Sequence, residues 1–428
     1  MLKKILSCLY MMIFGLEAPA QETALARYQR YQKEAVEAER RGENERALKN
    51  YLHMLEMIPD KPEANYFAAR IQARMGNSRE ALLSLEKALS LGYPLPSDLD
   101  KSFDLLKGSP GFPKILARIE DLKKPVGRSQ VAFSIPEKDL LPEGIAYDRG
   151  GDSFYLGSLW KGKIIKIDRK GFIREFAAEK QGGLRSVAGM RVDPDRRLLW
   201  VVSFVSPPWA KIAPADVGWS AVFKYDLATG QLVKKYELSG PGAGHLLNDL
   251  TVTRSGDVFV TDSLRGEIYA INHQADRLEF FYRSDEFMYT NGITMGNDDR
   301  TLFVASPGNG VFRIDIPTKE CRLVSHPETM TLSAIDGLYL YDNSLIGIQP
   351  RYSRVCRFYL NGKADSVERL EIIEARNPQF DFPNTGAIAG GAFYFIANSQ
   401  AYSFNPDGTL FPLEKLKDVV ILRADLGE

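Results

Sequence analysis

The chain has 428 residues, 44% of them apolar, and its 55 basic residues balance 55 acidic ones. This balance leaves no net positive charge that would attract nucleic acid or an anionic membrane surface. The composition therefore excludes a protein that binds such partners through its overall charge. The length and the apolar content allow two domains, each of which buries a core of its own.

The N-terminal segment is typical of an export signal. Two lysines at positions 3 and 4 precede an apolar run over residues 5–16, which is too short for the ~20 residues of a spanning helix. A small-x-small cleavage site ends at Ala20. We predict that residues 1–20 are a signal peptide cleaved after Ala20, so that the mature protein is periplasmic or secreted and has no transmembrane domain. Retention as an uncleaved anchor is the alternative, and a disulfide between Cys321 and Cys356 stays open.

The next segment, residues 27–122, is rich in alanine, glutamate and arginine and repeats itself. Gly42 and Gly76 are 34 residues apart, and alanine and leucine positions recur at the same spacing. A period of about 34 residues is typical of the tetratricopeptide helix-turn-helix repeat, so we predict an α-helical repeat domain here. Such a domain either binds a peptide or protein partner or braces the domain that follows, and the sequence leaves both open.

A polar stretch at 123–130 is predicted to be a linker, and residues 131–428 form a second, mainly β domain. Short runs in which apolar and polar residues alternate are separated by turn residues, which is typical of antiparallel strands. Units of this kind recur about every 43 to 59 residues. Four-stranded units of this length predict a six-bladed β-propeller. We expect the strand-like segment 131–135 and the C-terminal run VVILRADL to pair and close the ring. The six copies begin at Gly144, Gly189, Asp249, Gly292, Gly337 and Gly386.

Four blades carry an oxygen-bearing side chain at the same place, the start of the innermost strand. These residues are Glu143, Asn248, Asn291 and Asp336. Because the innermost strands of a propeller begin close to its axis, we expect the four side chains to converge. Two carboxylates and two amides suit Ca²⁺ best, then Mg²⁺ or Mn²⁺, with Zn²⁺ less favoured. Any one of them alone would be read as a turn former, but the set in register predicts a divalent-metal site.

The blade openings Pro142-Glu143-Gly144, Asn248-Asp249, Asn291-Gly292 and Asp336-Gly337 resemble those of the senescence marker protein (regucalcin) and gluconolactonase family of six-bladed propellers. The resemblance covers roughly residues 128–426. It implies that Glu143, Asn291 and Asp336 bind the metal and that Asp336 also transfers a proton. It further implies that Asn248 contacts the substrate or a metal-bound water.

Two departures from this family pattern bear on the substrate. Leu246 stands where gluconolactonase-like members have an arginine that holds a sugar lactone, so the resemblance leaves lactones and esters both open. The more distant paraoxonases share the propeller and a similar Asn-Asp motif, and they use a catalytic histidine pair. His245 lies just before Asn248, and a structural and a catalytic role are both considered for it.

Loops on the metal face are expected to select the substrate, because strand alternation places the connections between second and third strands there. The insertion SPPWAKIAPADVGW in blade 2 is predicted either to cover the metal or to pack on a neighbouring blade. Besides Asn248, the residues predicted to bind substrate are Trp160, Trp209, Arg265, Arg351 and Tyr352.

The sequence therefore predicts an exported, divalent-metal-dependent lactonase or esterase with Asp336 as its catalytic residue. Its partner would be a small-molecule lactone or ester, not nucleic acid. The alternative is a non-enzymatic binding protein in which a calcium ion only stabilises the propeller. A metal-free propeller of the strictosidine synthase kind is disfavoured, because that group lacks the four oxygen donors.

Overall fold

A computed structural model describes residues 22–95, 100–209, 216–238 and 244–427, so the predicted signal peptide lies outside the described residues. They form a six-bladed β-propeller preceded by a group of helices, which confirms the predicted fold class. In the part of the chain that the structure describes, none of the helices has the length and apolar content needed to cross a membrane.

The helical region packs its helices in neighbouring pairs. The first helix begins after Thr23, whose hydroxyl accepts a hydrogen bond from the amide of Ala26 at 3.2 Å and so satisfies one of the free amides of the first turn. Whether these helices are tetratricopeptide repeats stays a prediction. The helices are α1 (Ala24–Arg40), α2 (Asn44–Met57), α3 (Pro62–Arg74), α4 (Ser78–Ser90) and α5 (Phe112–Lys123), with a short 3-10 helix at Lys101–Leu106 between α4 and α5.

Each blade is an antiparallel sheet whose first strand lies nearest the axis. Blade 1 contains β3 (Pro142–Asp148), β4 (Ser153–Ser158), β5 (Ile164–Asp168) and β6 (Ile173–Ala177). Blade 2 contains β7 (Ser186–Asp193), β8 (Leu198–Phe204), β9 (Ser220–Asp226) and β10 (Leu232–Leu238). Blade 3 contains β11 (Leu247–Val252), β12 (Val258–Asp262), β13 (Glu267–Ile271) and β14 (Leu278–Arg283). Blade 4 contains β15 (Ile293–Met295), β16 (Thr301–Ser306), β17 (Gly310–Asp315) and β18 (Cys321–Leu323).

The last two blades are completed by strands from the start of the propeller domain. In blade 6, β2 (Gln130–Ile135) pairs with the C-terminal β25 (Val419–Asp425) as the sequence predicts, which ties the two ends of the ring together. In blade 5, the two-residue β1 (Val126–Gly127) adds to the outer strand β22 (Val367–Ala375), so the predicted linker 123–130 is partly strand. Blade 5 contains β19 (Leu338–Tyr341), β20 (Ser344–Gln349), β21 (Arg354–Leu360), β22 (Val367–Ala375) and β1 (Val126–Gly127). Blade 6 contains β23 (Gly386–Ala389), β24 (Ala392–Ile396), β25 (Val419–Asp425) and β2 (Gln130–Ile135).

We call the end of the propeller at which the innermost strands begin the upper face. The helical region is docked on this face over blades 4 and 5. The apolar core of α3, α4 and α5 continues into Ala334 and Tyr352 of the propeller. The Nζ of Lys61 donates hydrogen bonds to the carbonyl oxygens of Pro307 (3.2 Å) and Gly308 (3.0 Å). The helices therefore cover one side of the face that carries the predicted metal residues.

Candidate metal centre and active site

Irregularities in the innermost strands bring the predicted metal residues to the upper end of the axis. The register of β3 against β4 shifts between Pro142 and Ile145, which places Glu143 in a bulge. The same shift occurs in blade 3 between Leu247 and Leu250 and places Asn248 in a bulge. A bulge bends the strand and turns a side chain out of its regular alternation, so it can direct these side chains towards the axis.

Glycine follows the predicted metal residue Glu143 in blade 1 because no side chain fits there. Gly144 has φ +77°, and a Cβ atom at this position would lie 1.9 Å from the carbonyl oxygen of Ala188 in blade 2. We expect Gly144→Ala to lower the free energy of unfolding by about 2 to 4 kcal/mol, since it combines backbone strain with overpacking. Gly408 is a matched control with φ +81° and open space around it, where alanine should cost about 1 to 2 kcal/mol. Equal losses in the two variants, measured by urea denaturation, would contradict this account.

Hydrogen bonds between neighbouring blades hold the openings of blades 4 and 5 together. The side-chain Nδ2 of Asn291 donates to Oδ1 of Asp336 at 2.6 Å, and the amide of Gly292 donates to the backbone oxygen of Asp336 at 2.9 Å. In blade 3, Nδ2 of Asn248 donates to the hydroxyl of Ser263 at 3.0 Å. Both amide nitrogens are thus engaged, whereas neither side-chain Oδ1 has a hydrogen-bond partner among the described residues.

Asp249 is a third carboxylate at this place, and the sequence reasoning did not single it out. It is 2% exposed and lies 3.2 Å from the guanidinium of Arg191 in blade 2. Arg191 also lies 4.8 Å from the centre of the Tyr339 ring. Gly189 lets Asp249 approach, because a Cβ there would lie 2.4 Å from its Oδ1. Asp249 is part of the Asn248-Asp249 motif, but the sequence alone does not show that its side chain lies near the other carboxylates.

We call Glu143, Asn248, Asp249, Asn291 and Asp336 the axial cluster. Burial and the nearby charges of Asp336 and Asp249 raise the pKa of Glu143 well above its usual value. Burial, against the hydrogen bond from Asn291, raises the pKa of Asp336 to about 7. Burial also raises the pKa of Asp249 in spite of Arg191. Burial thus opposes the charged form of all three carboxyl groups, and the charges of neighbouring carboxylates add to this effect for Glu143 and Asp336.

The donors of the axial cluster fit a hard divalent cation. Three carboxylates face a single arginine, since among the described residues Arg191 is the only cation within ion-pair distance of any of them. Fully ionised, the cluster therefore has a net charge of about −2, which a divalent ion would balance. Its oxygens come from carboxylates and amides, the ligands that Ca²⁺ and Mg²⁺ prefer. Glu143, Asn248, Asn291 and Asp336 all keep partial exposure, so an ion could reach them.

A second polar group lies on the upper face of blade 3. Ligand atoms of His245, Asp262 and Glu267 lie within 4.8 Å of one another. Here, however, each carboxylate already has a side-chain partner: Nδ1 of His245 lies 2.7 Å from Oδ2 of Asp262, and Nε of Arg265 donates to Oε2 of Glu267 at 3.1 Å. The hydroxyl of Tyr269 donates to the same glutamate oxygen at 2.7 Å. This group could hold a metal, but it has less need of one than the axial cluster.

The residues predicted to bind substrate are spread around the upper face. Trp160 packs against Phe404, with ring centres 5.5 Å apart, and Nε1 of Trp209 donates to the carbonyl of Ala401 at 2.8 Å. Both tryptophans thus lie against the upper loop of blade 6. Of the predicted insertion in blade 2, residues 210–215 lie outside the described residues. Arg265 is paired with Glu267, as described above.

Tyr352 and Arg351 are neighbours in the loop between β20 and β21 but have different surroundings. Tyr352 is 0% exposed, and its hydroxyl lies 3.1 Å from both Ser333 Oγ and Glu63 Oε2. Tyr352 therefore lies in the contact between the propeller and the helices, which cover it. Arg351 is exposed, and its positive charge opposes the rise in the pKa of Asp336.

Comparison with known proteins finds similar solved structures. No protein-family model matches the chain, and no curated protein matches it either. The PQQ-bound aldose sugar dehydrogenase of Streptomyces coelicolor is 14% identical, with a TM-score of 0.49 over 71% of this chain and 98% of that chain. Regucalcin of Agrobacterium tumefaciens, described as a calcium-binding protein, is 13% identical, with a TM-score of 0.48 over 69% of this chain and 95% of that one. Virginiamycin B lyase of Staphylococcus aureus is 16% identical, with a TM-score of 0.42 over 65% and 84%.

Proposed function

We propose that the protein is a divalent-metal-dependent hydrolase of lactones or esters, akin to regucalcin and gluconolactonase, and that the axial cluster is its active site. One observation carries this proposal: Asn291 and Asp336 are hydrogen-bonded at the start of adjacent innermost strands, near the carboxylates of Glu143 and Asp249. Among the described residues, Arg191 is the only cation within ion-pair distance of these carboxylates. Ca²⁺ is our first choice of metal, and Mg²⁺, Mn²⁺ and Zn²⁺ are the alternatives.

Glu143, Asn291 and Asp336 would hold the ion, with Asn248 beside them. A divalent ion in this place would polarise a substrate carbonyl and make water a better nucleophile near neutral pH. Asp336 is the residue we assign to proton transfer, because Oδ2 has no hydrogen-bond partner among the described residues while Oδ1 is held by Asn291. That arrangement fixes the carboxylate and leaves one oxygen able to accept a proton.

The test is a hydrolysis assay on the chain from Gln21 onwards. The protein is first treated with a chelator, and Ca²⁺, Mg²⁺, Mn²⁺ or Zn²⁺ is then restored singly over a panel of aliphatic, sugar and aryl lactones and esters. Turnover that depends on the restored metal supports the proposal. A metal that raises the melting temperature without any turnover favours the alternative, in which the ion only stabilises a binding protein.

We also propose that the chain is exported, with residues 1–20 cleaved after Ala20. A peptide or protein partner of the helical region remains a second proposal. One side of this region is occupied by the propeller, which supports the bracing role. Leu52 and Leu83 are exposed on the helices and would be the place to look for a partner.

A further inference from the structure

The seam between the helices and the upper face runs next to the axial cluster. Nε2 of Gln29 on α1 lies 2.5 Å from the hydroxyl of Tyr289, which is two residues before Asn291. On α3, Oε2 of Glu63 accepts from the hydroxyl of Tyr352 at 3.1 Å. The backbone amide of Ala24 donates to the carbonyl of Asp285 at 2.9 Å. Contacts at both ends of the seam thus fix α1 and α3 beside the openings of blades 4 and 5.

Arg351 lies in a loop that borders both the seam and the axial cluster. The backbone amide of Asp336 donates to the carbonyl of Ile348 at 2.8 Å, so the loop after Gln349 begins beside Asp336, and Tyr352 of the same loop contacts Glu63 across the seam. Arg351 belongs to this loop, is exposed, and makes no hydrogen bond or ion pair with any residue that the structure describes. A guanidinium group offers five N–H donors, and here all of them are available to a ligand.

Tyr28 lies on α1 next to Gln29, which contacts Tyr289 across the seam. Burial and the charge of Glu63 raise the pKa of Tyr28, and the charge of Arg351 opposes this rise. The Tyr28 hydroxyl makes no hydrogen bond with the described residues. The charged neighbours are already engaged, Glu63 by Tyr352 and Lys61 by two backbone carbonyls. Arg351 and Tyr28 therefore remain as donors without a hydrogen-bond partner among the described residues, one on each side of the seam.

We propose that Arg351 and Tyr28 bind a carboxylate of the substrate, so that the helical region forms one wall of the active site. The claim that this carboxylate belongs to a substrate rests on the proposed function, whereas the binding of a carboxylate does not. A planar carboxylate accepts two parallel hydrogen bonds from a guanidinium, and a tyrosine hydroxyl can add a third. One unpaired arginine matches the single charge of a carboxylate better than the double charge of a phosphate ester. The substrate class is thus a lactone or ester that carries a carboxylate away from the bond to be cleaved.

The binding test uses glutarate and monomethyl glutarate as probes, in the presence of Ca²⁺, with calorimetry as the readout. In the proposed site one carboxylate would bind the ion, and the second, present only in glutarate, would bind Arg351. We expect glutarate to bind at least tenfold more tightly than its monomethyl ester. Arg351→Ala should erase this difference, Arg351→Lys should restore part of it, and Tyr28→Phe should reduce it about threefold.

Arg174 provides the matched control, because it is exposed on the outer strand β6 and has no hydrogen bond or ion pair within the described residues. Arg174→Ala should leave the preference for glutarate unchanged. If the wild-type protein and Arg351→Ala showed the same preference for glutarate, the inference would be overturned. If Tyr28→Phe kept the full preference, the helical region would take no part in binding the carboxylate. Melting temperatures close to that of the original protein would show that the variants are folded.

A kinetic test separates this inference from the proposed function. Aryl esters of glutarate and of monomethyl glutarate are compared as substrates, and Arg351→Ala should lower kcat/KM at least tenfold for the free acid alone, mainly through KM. Hydrolysis of both esters with equal efficiency would overturn the carboxylate site but keep the hydrolase. Glutarate binding that depends on Arg351, without any hydrolysis, would keep the site and count against the hydrolase.

Discussion

Asp336→Asn is expected to lower kcat for the best ester or lactone by about 10²- to 10⁴-fold, the range typical of a lost general acid or base. The same change should make the metal-free protein more stable at pH 8. It removes a buried carboxylate whose pKa is raised to about 7 and whose charge is therefore unfavourable in the fold. Asparagine can still accept the hydrogen bond from Asn291. Activity and stability should thus move in opposite directions, which is characteristic of a functional site.

The measurements are steady-state kinetics with restored metal and thermal unfolding in chelator. Glu143→Gln should behave in the same way, with a weaker metal-induced rise in melting temperature as well. Glu368→Gln is the control, since Glu368 is an exposed carboxylate on β22 of the same blade as Asp336. If Asp336→Asn kept full turnover, Asp336 would not be the proton acceptor. If it destabilised the metal-free protein, the cluster would not be strained by its charges.

Much of the propeller could be read from the sequence, because each blade repeats the same alternation and the same turn residues. The closing pair of strands could be read as well, since 131–135 and the C-terminal run are β-rich segments at the two ends of the repeat. Local patterns were sufficient here because a blade is formed by neighbouring strands.

The surroundings of the site were harder to predict because they depend on contacts distant in the chain. The charge of Asp249 is balanced by Arg191 of the preceding blade, and no local sequence pattern around either residue predicts this ion pair. The docking of the helices buries Tyr352 against Glu63, so a residue expected at the rim is in an interface. Arg351, its neighbour, stays exposed. Which of two adjacent loop residues is covered depends on how the domains pack, and periodicity holds no information about that.

The metal-free protein is expected to become more stable as the pH falls from about 8 to about 5.5. Burial raises the pKa of Glu143 well above its usual value and that of Asp336 to about 7, whereas both groups have a pKa near 4 in the unfolded chain. Between these values the folded protein binds protons that the unfolded chain does not. Stability therefore rises as the pH falls through the folded pKa, and the gain is complete at the unfolded pKa.

A bound divalent ion should reverse this dependence. The ion needs the carboxylates in their charged form, so binding displaces protons and weakens as the pH falls. At a hundredfold excess over Kd the ion would contribute about 2.7 kcal/mol at pH 8, and each proton displaced would remove about 1.4 kcal/mol per pH unit. Calorimetric melting with and without Ca²⁺ should give two curves that converge towards acid pH.

The double variant Glu143→Gln, Asp336→Asn isolates the part of this behaviour that belongs to the axial cluster. All other titrating groups are common to both proteins, so the difference between their stability curves in chelator reports the two carboxylates alone. The metal-free variant should lose the gain at acid pH, and Ca²⁺ should no longer raise its melting temperature. Identical pH profiles for the original protein and the variant would show that these carboxylates are not under electrostatic strain. The axial cluster would then lack the excess negative charge from which the metal site is inferred.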